Sequence, residues 1–321
     1  MPAGQLVWNM EINDVCVIGG SGFVGRHICH QLAALGCRVR VPTRDRERAK
    51  RLILLPTVDV IAADIHDPQD LARVVRGSEA VINLVGVLHD GRGQRSFREA
   101  HVELARKLVA ACRDNGVRRL LHMSALGAAA QAPSAYLRTK GEAETIVRGS
   151  GLDATLFRPS VIFGRDDSFL NLFAGLLRLL PVVVLASPGA RFQPVFVEDV
   201  AAAFVKSLQN LDAFGKSYDL CGPRIYTLRE LVETVGALIG RPRPIIGLND
   251  MLSYWQAFAM ELSPVKLMTR DNYYSMKVDS VCACDFPFGI RPAALEAEAP
   301  EWLAQNTPRT RYQRFRNRAG R

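Results

Sequence analysis

The segment Val15–Gly25, V-C-V-I-G-G-S-G-F-V-G, constrains this chain more than any other stretch. Val15, Cys16, Val17 and Ile18 form a short apolar run suited to a strand buried on both faces of a parallel sheet. The periodicity of Phe23–Leu35 suits a helix packed on that sheet. Gly19, Gly22 and Gly25 stand between and within these elements. Gly19 permits the tight turn off the strand, Gly22 lets the backbone approach a pyrophosphate, and Gly25 lets helix and strand lie close together. The free N–H groups and positive dipole end of the helix face the same point. This order of strand, spaced glycines and helix predicts a dinucleotide site made by Gly19, Ser21, Gly22, Phe23, Val24 and Gly25.

Further strands are expected at Arg38–Val41, Val58–Ala63, Ala80–Val85, Arg119–Met123 and Leu152–Arg158, with a long helix over 96–115. That alternation predicts an α/β fold, a Rossmann-type doubly wound parallel sheet, over residues 12–160. Residues 161–303 alternate short strands and helices without a second glycine fingerprint. They are expected to form a smaller C-terminal α/β substrate or partner lobe, interleaved with the sheet. Residues 304–321 are expected to be a basic, flexible tail.

The second strand runs into Pro42-Thr43-Arg44-Asp45. An acid at this strand end would bind a ribose 2′-hydroxyl and repel a 2′-phosphate; here Thr43 stands in its place and Arg44 follows. Arg46, Arg48, Lys50 and Arg51 lie close by. NADP(H) is therefore the expected cofactor, with NAD(H) as the alternative.

Tyr136 and Lys140, in Y-L-R-T-K, share one helix face. An ammonium so placed can depress the phenol's pKa and hold a nicotinamide ribose, so that the tyrosine exchanges a proton with a substrate oxygen. Ser124, in H-M-S-A-L-G-A, is the candidate to polarise that oxygen, with Ala125 competing for the same position. Ser134 is expected to cap the tyrosine helix. Cys16, Cys29 and Cys112 suit buried small hydrophobes in a reducing compartment. Cys282 and Cys284 lack the spacing and the histidine of a zinc site, so no metal is expected.

The formal charge of the 321 residues is +9, but Arg309, Arg311, Arg314, Arg316, Arg318 and Arg321 fall in a stretch without acids, and the rest carries only +3. Mean hydropathy of +0.04 fits a globular chain. Phe169–Ala186, the most apolar run, is broken by Asn171, Arg178 and Pro181 and does not suit a membrane span. The first ten residues lack the basic and apolar regions of a secretion signal, so a cytoplasmic location is expected, with peripheral placement on the inner face of a membrane as a variant.

The G-x-x-G-x-x-G spacing with Phe23, the Tyr-Lys pair and the segment Asn83-Leu84-Val85-Gly86 resemble the extended and atypical short-chain dehydrogenase/reductase superfamily. RPSVIFGRDDSFLN, QPVFVEDVAAAF at 193–204 and YDLCGPRIYTLRELVE at 218–233 together resemble one branch of it. That branch holds the NADPH-binding accessory subunits of respiratory complex I (alpha-subcomplex subunit 9) and their bacterial relatives, and the resemblance covers roughly residues 12–303. It implies non-covalent NADP(H), with Asp64 and Ile65 beside the adenine, Leu84, Val85 and Gly86 under the cofactor, and Pro159 and Val161 on the nicotinamide side. It also implies proximity to quinone chemistry at a membrane. Glu198-Asp199-Val200 resembles the branch's V-x-D-V-A helix start, and the acid there is expected to cap that helix.

Three functions stay open at this stage. The first is an NADP(H)-dependent oxidoreductase, or an epimerase-like enzyme, on a hydrophobic substrate such as a quinone or isoprenoid. The second is a non-catalytic complex I accessory or assembly protein that holds NADP(H) structurally, partnered by complex I or quinone-metabolism proteins. The third is an RNA-associated protein using the arginine tail, which equally suits a membrane surface. Two further stretches have a bland reading: the apolar Phe169–Leu180 helix can be core or pocket wall, and the Met and aromatic residues of 251–268 can be core, lid or partner surface.

Overall fold

The computed structural model describes residues 12–263 and 267–304; the arginine tail lies outside the described residues. Its first half runs β1 (Asp14–Ile18), α1 (Phe23–Ala34), β2 (Arg38–Thr43), α2 (Lys50–Ile53), β3 (Val58–Ala62), α3 (Pro68–Val75), β4 (Ala80–Asn83), α4 (Leu104–Asp114), β5 (Arg119–Met123), α5 (Ala135–Arg148) and β6 (Asp153–Pro159). The second half runs β7 (Ile162–Phe163), α6 (Phe169–Leu179), β8 (Val183–Leu185), β9 (Arg191–Phe192), β10 (Val195–Phe196), α7 (Val197–Leu208), β11 (Ser217–Leu220), β12 (Tyr226–Thr227), α8 (Leu228–Leu238), β13 (Ile245–Gly247), α9 (Asp250–Glu261), α10 (Arg270–Ser275), α11 (Leu295–Glu298) and α12 (Pro300–Leu303).

Seven parallel strands form the main sheet in the order β11-β6-β5-β4-β1-β2-β3. The apolar run of β1 has the two buried faces expected of it. Val15 and Val17 pack with α1 and α7 on one side, while Cys16 and Ile18 pack with α3, α4 and α5 on the other. The order reverses between β1 and β4, which places the crevice for a ligand at their carboxyl ends. The seventh strand comes from residues 217–220, so α7 and β11 belong to the sheet although they follow residue 160.

The remaining second-half elements build a smaller core in which α6 and α8 bury Leu170, Phe173, Leu177, Leu231 and Val235. One face of the apolar Phe169–Leu180 stretch is therefore core, while Leu179 and Leu180 at its end are exposed. The acids at the start of α7 correct another expectation: neither caps it. Glu198 accepts from His27 Nδ1 at 2.6 Å and Gln31 Nε2 at 2.8 Å on α1, and Asp199 accepts from Ala293 N at 2.7 Å. They tie α7 to its neighbours because α1 lies directly alongside it.

Arg119 opens β5 at the end of the sheet remote from that crevice, and it is buried. It donates to Leu208 O at 3.2 Å, Ser207 O at 2.6 Å, Asp153 O at 2.6 Å and Thr155 Oγ1 at 2.9 Å, with its guanidinium 4.4 Å from the Phe214 ring centroid. A cation thus closes the last carbonyls of α7, where the helix dipole is negative. Replacing Arg119 by Leu strands these buried acceptors, and each costs about 1–3 kcal/mol when unpaired. Urea unfolding of Arg119→Leu is expected to show a loss of at least about 3 kcal/mol; a loss within 1 kcal/mol (roughly the worth of one ordinary bond) would contradict this role.

Candidate functional site

The glycine turn has the geometry that a pyrophosphate cradle needs. Gly19 has φ +84°, the left-handed region, and a Cβ on Gly25 would lie 2.4 Å from Gly19 O. Gly22 precedes α1 and offers no side chain to cap it, so the N–H groups of the first turn remain for a ligand. Gly20, which the motif reading passed over, is also required: its Cβ would meet Val41 at 2.9 Å. Phe23 turns away from the cradle. It packs edge-on against His27 and closes over Gly164, where a Cβ would lie 3.0 Å from its ring.

Around the same sheet end, Thr43 is buried at the tip of β2 and donates to Asp45 O at 3.0 Å. Arg44 is exposed and donates to Gln94 Oε1, while Gln94 Nε2 donates to Asp64 Oδ2 at 3.0 Å. Gln94 therefore bridges the arginine after β2 to the carboxylate after β3. The hydrogen bond from Gln94, that from His66 N and the charge of Arg44 hold the Asp64 carboxyl below its usual range against the opposing effect of burial. Arg48, Lys50 and Arg51 pair with Asp45, Glu47 and Asp166, whereas Arg44 and Arg46 have no carboxylate partner among the described residues. Ile65 and Val85 pack on the α3–α4 side of the sheet, and Leu84 on the other. Pro159 ends β6. Val161 beyond it packs against the smaller core.

Lys140 and Tyr136 take the helical spacing expected on α5, which Ser134 caps as expected by accepting from Leu137 N at 3.2 Å. Asp271, on α10, accepts from Ala135 N at 2.6 Å and Tyr136 N at 3.2 Å, so the smaller lobe supplies a second cap to this helix. Farther along α5, buried Glu144 receives a two-pronged bond from Arg158 of β6. These contacts fix how far Lys140 reaches over the sheet. Its Nζ donates to Val85 O at 3.2 Å and Met123 O at 3.1 Å, the carbonyls just beyond β4 and at the end of β5. An ammonium has three protons, which leaves one for a ligand. Burial brings the Lys140 pKa down to about 8, with Glu144 acting in the opposite direction.

His101 completes the cluster. It lies in a π-helical turn, Arg98–Glu103, leading into α4; such turns recur at functional sites. Val87 N donates to its Nε2 at 3.4 Å, which places the ring proton on Nδ1, facing Thr139 Oγ1 at 2.9 Å. The ring meets Tyr136 edge-on at 5.5 Å and stacks on Phe97 at 5.7 Å. Burial, together with the positive charge of Lys140, pushes its pKa down to about 2, so it is neutral. His101 thus ties the Gly86–Val87 loop to α5.

Burial pushes the Tyr136 phenol up to about 12. Ser124 continues β5 by donating its N–H to Phe157 O at 2.7 Å, while its buried Oγ has no partner among the described residues. Ala125, the competing position, is buried beside Tyr136 and Val278. The glycine cradle, the third ammonium proton and the orphaned serine hydroxyl all fit a dinucleotide with a substrate beyond it.

Residues 19–170 match the family model described as NAD(P)H-binding. The chain is 31% identical over 301 residues to the NADH dehydrogenase [ubiquinone] 1 alpha subcomplex subunit 9 of Rattus norvegicus, covering 90% of this chain and 79% of that protein. It is 33% identical over 192 residues to the ceramide reductase of Caulobacter vibrioides, covering 60% of this chain and 59% of that one. Its fold matches the NADPH-dependent quinone oxidoreductase QOR2 of Escherichia coli, solved with NADPH, at a TM-score of 0.71 and 18% identity over 90% of this chain and 99% of that chain. Among the described residues no helix is long and apolar enough to cross a membrane.

Substitution of Gly25 by Val would drive a side chain into the Gly19 carbonyl and displace α1 from β1. NADPH binding, followed by quenching of protein fluorescence, is expected to fall by at least about a hundredfold, as lost close packing and lost phosphate contacts combine. Unchanged affinity would remove this turn from the cofactor site. With its glycine cradle, its tyrosine–lysine helix and these relatives, the chain belongs to the NAD(P)H-binding short-chain dehydrogenase/reductase family, in the branch of the complex I alpha subcomplex subunit 9 proteins.

Proposed function

We propose that this protein is an NADP(H)-dependent reductase of a carbonyl on a hydrophobic substrate. The observation that carries the reading is the buried Lys140 ammonium, held by two carbonyls on the helix that also presents Tyr136. When bound, NADP(H) supplies the hydride. Lys140 holds the nicotinamide ribose with its remaining proton. Ser124 orients the substrate oxygen, and Tyr136 donates a proton to it. A phenol with its pKa pushed up to about 12 is protonated at neutral pH, as a proton donor to the substrate oxygen must be. Arg44, which has no carboxylate partner among the described residues, pairs with the 2′-phosphate, while Asp64 and Ile65 flank the adenine and Pro159 borders the nicotinamide.

Phe97, Ala125 and Val278 make the surroundings of Tyr136 apolar. The ceramide reductase relative supports a lipid-like carbonyl compound as the substrate class. A second reading has its own support: kinship with complex I subunits favours a protein that holds NADP(H) as a structural element of a respiratory assembly.

Tyr136→Phe separates the two. The enzyme reading expects unchanged NADPH affinity and a loss of about a hundredfold or more in NADPH-dependent reduction of long-chain keto-lipids or quinones, the usual worth of a positioned acid. Equal rates in both proteins would remove the acid role, and co-purification with respiratory subunits without any turnover would favour the second reading. Arg44→Asp is expected to weaken NADPH about tenfold or more while leaving NADH unaffected or improved. Unaltered selectivity would refute the phosphate role.

A further inference from the structure

Helix α9 turns Met251, Leu252 and Trp255 outward, while Tyr254, Phe258 and Met260 are half-buried. The buried positions are Ser253 and Ala257, while Met251, Leu252, Trp255, Ala259 and the following Leu262 form one exposed face, with Trp255 56% and Leu262 73% exposed. Helices on a protein surface normally place such residues toward the core. The face continues onto the short parallel pair β8 and β13. Gln256 Nε2 donates to Val184 O at 3.0 Å, and Val184 stands opposite Ile246; these two are 47% and 54% exposed. Beyond them lie exposed Val182, Leu180 and Leu179, at the end of α6.

Charge separates the candidate occupants of this surface. The acids of α9, Asp250 and Glu261, are matched by Lys277 and Arg270. Arg178, Arg241 and Arg243, at the α6 and β13 side of the face, have no ion pair among the described residues; Arg243 donates only to Leu177 O at 3.4 Å. The net local charge is positive. The chain beyond Ala304 adds six arginines and no acid. A second copy of the same face would bring like charges together, which opposes self-association. Aliphatic side chains, one tryptophan and unpaired arginines are instead what an anionic lipid surface selects, with the tryptophan at the headgroup level.

We propose that the outward face of α9, together with Val184, Ile246 and the unpaired Arg178, Arg241 and Arg243, docks this protein on an anionic bilayer surface. The site stands apart from the cofactor crevice and does not rest on the reductase reading.

Vesicle flotation of the full chain tests it, with phosphatidylcholine alone against phosphatidylcholine mixed with phosphatidylglycerol. The wild type is expected to float with the mixed vesicles and not with phosphatidylcholine. Each basic residue at such a surface contributes about a fivefold factor, so Arg178→Gln/Arg241→Gln/Arg243→Gln is expected to reduce binding on the order of a hundredfold. Leu252→Ser/Trp255→Ser/Leu262→Ser is expected to abolish flotation while leaving the melting temperature and NADPH affinity unchanged, because these side chains are exposed. Flotation unaffected by either variant, yet lost when the six tail arginines become glutamine, would overturn the proposal in favour of the tail. No flotation of the wild type would overturn it outright, as would a wild-type dimer that the apolar-face variant converts to monomer.

Discussion

Lys140 is held inside the protein as a cation, and much of the architecture near the crevice can be understood as the means of keeping it there. Lowering a lysine pKa from 10.5 to about 8 corresponds to a cost of about 3 kcal/mol at neutral pH. Two carbonyl oxygens, at Val85 and Met123, offset part of that cost by direct bonding, and Glu144 one helical turn away supplies a balancing charge. Glu144 is itself buried and is held by Arg158 of β6. A fold that retains so costly a group places it where its charge has a use. The cradle at Gly19–Gly25 and the orphaned hydroxyl of Ser124 lie at the same carboxyl end of the sheet.

The smaller lobe takes part in this arrangement. Asp271 bonds the first N–H groups of α5, and Asn272 reaches Leu88 O in the loop beyond β4 at 3.4 Å. The loop beyond β4 and the tyrosine helix thus share a partner on α10. His101 links the same two elements from the opposite side, through Val87 and Thr139. Tyr136 is positioned by contacts from both lobes.

Local patterns carried most of this fold into the sequence. The two-faced apolar run of β1, the glycine spacing, the i to i+4 relation of Tyr136 and Lys140 and the Ser134 cap each depend on a few neighbouring residues, and each is present. What the sequence concealed is long-range. Asp271 lies 136 residues from the N–H it caps, and Gln94 lies 50 from the arginine it meets. No periodicity announces such pairs. His101 sits in a helical stretch whose π turn has no simple residue signature, and its role follows only from the loop it faces. A shared helix face likewise does not specify how far each side chain is buried, and burial raises the Tyr136 phenol. The Met and aromatic residues of 251–268 also left core, lid and partner surface open, because their types do not say which side of α9 faces the protein.

The central claim is that Lys140 receives the cofactor with a charge whose retention is marginal just above neutral pH. Titration calorimetry of NADPH at pH 8.5, in buffers of different ionisation enthalpy, measures the protons exchanged on binding. A ligand that favours the ammonium raises its pKa from about 8, so binding above that pH must take up protons. The 2′-phosphate is fully ionised there and contributes none. Net uptake by the wild type and none by Lys140→Met is the expected result. Equal exchange in both proteins would show that the buried ammonium does not meet the cofactor.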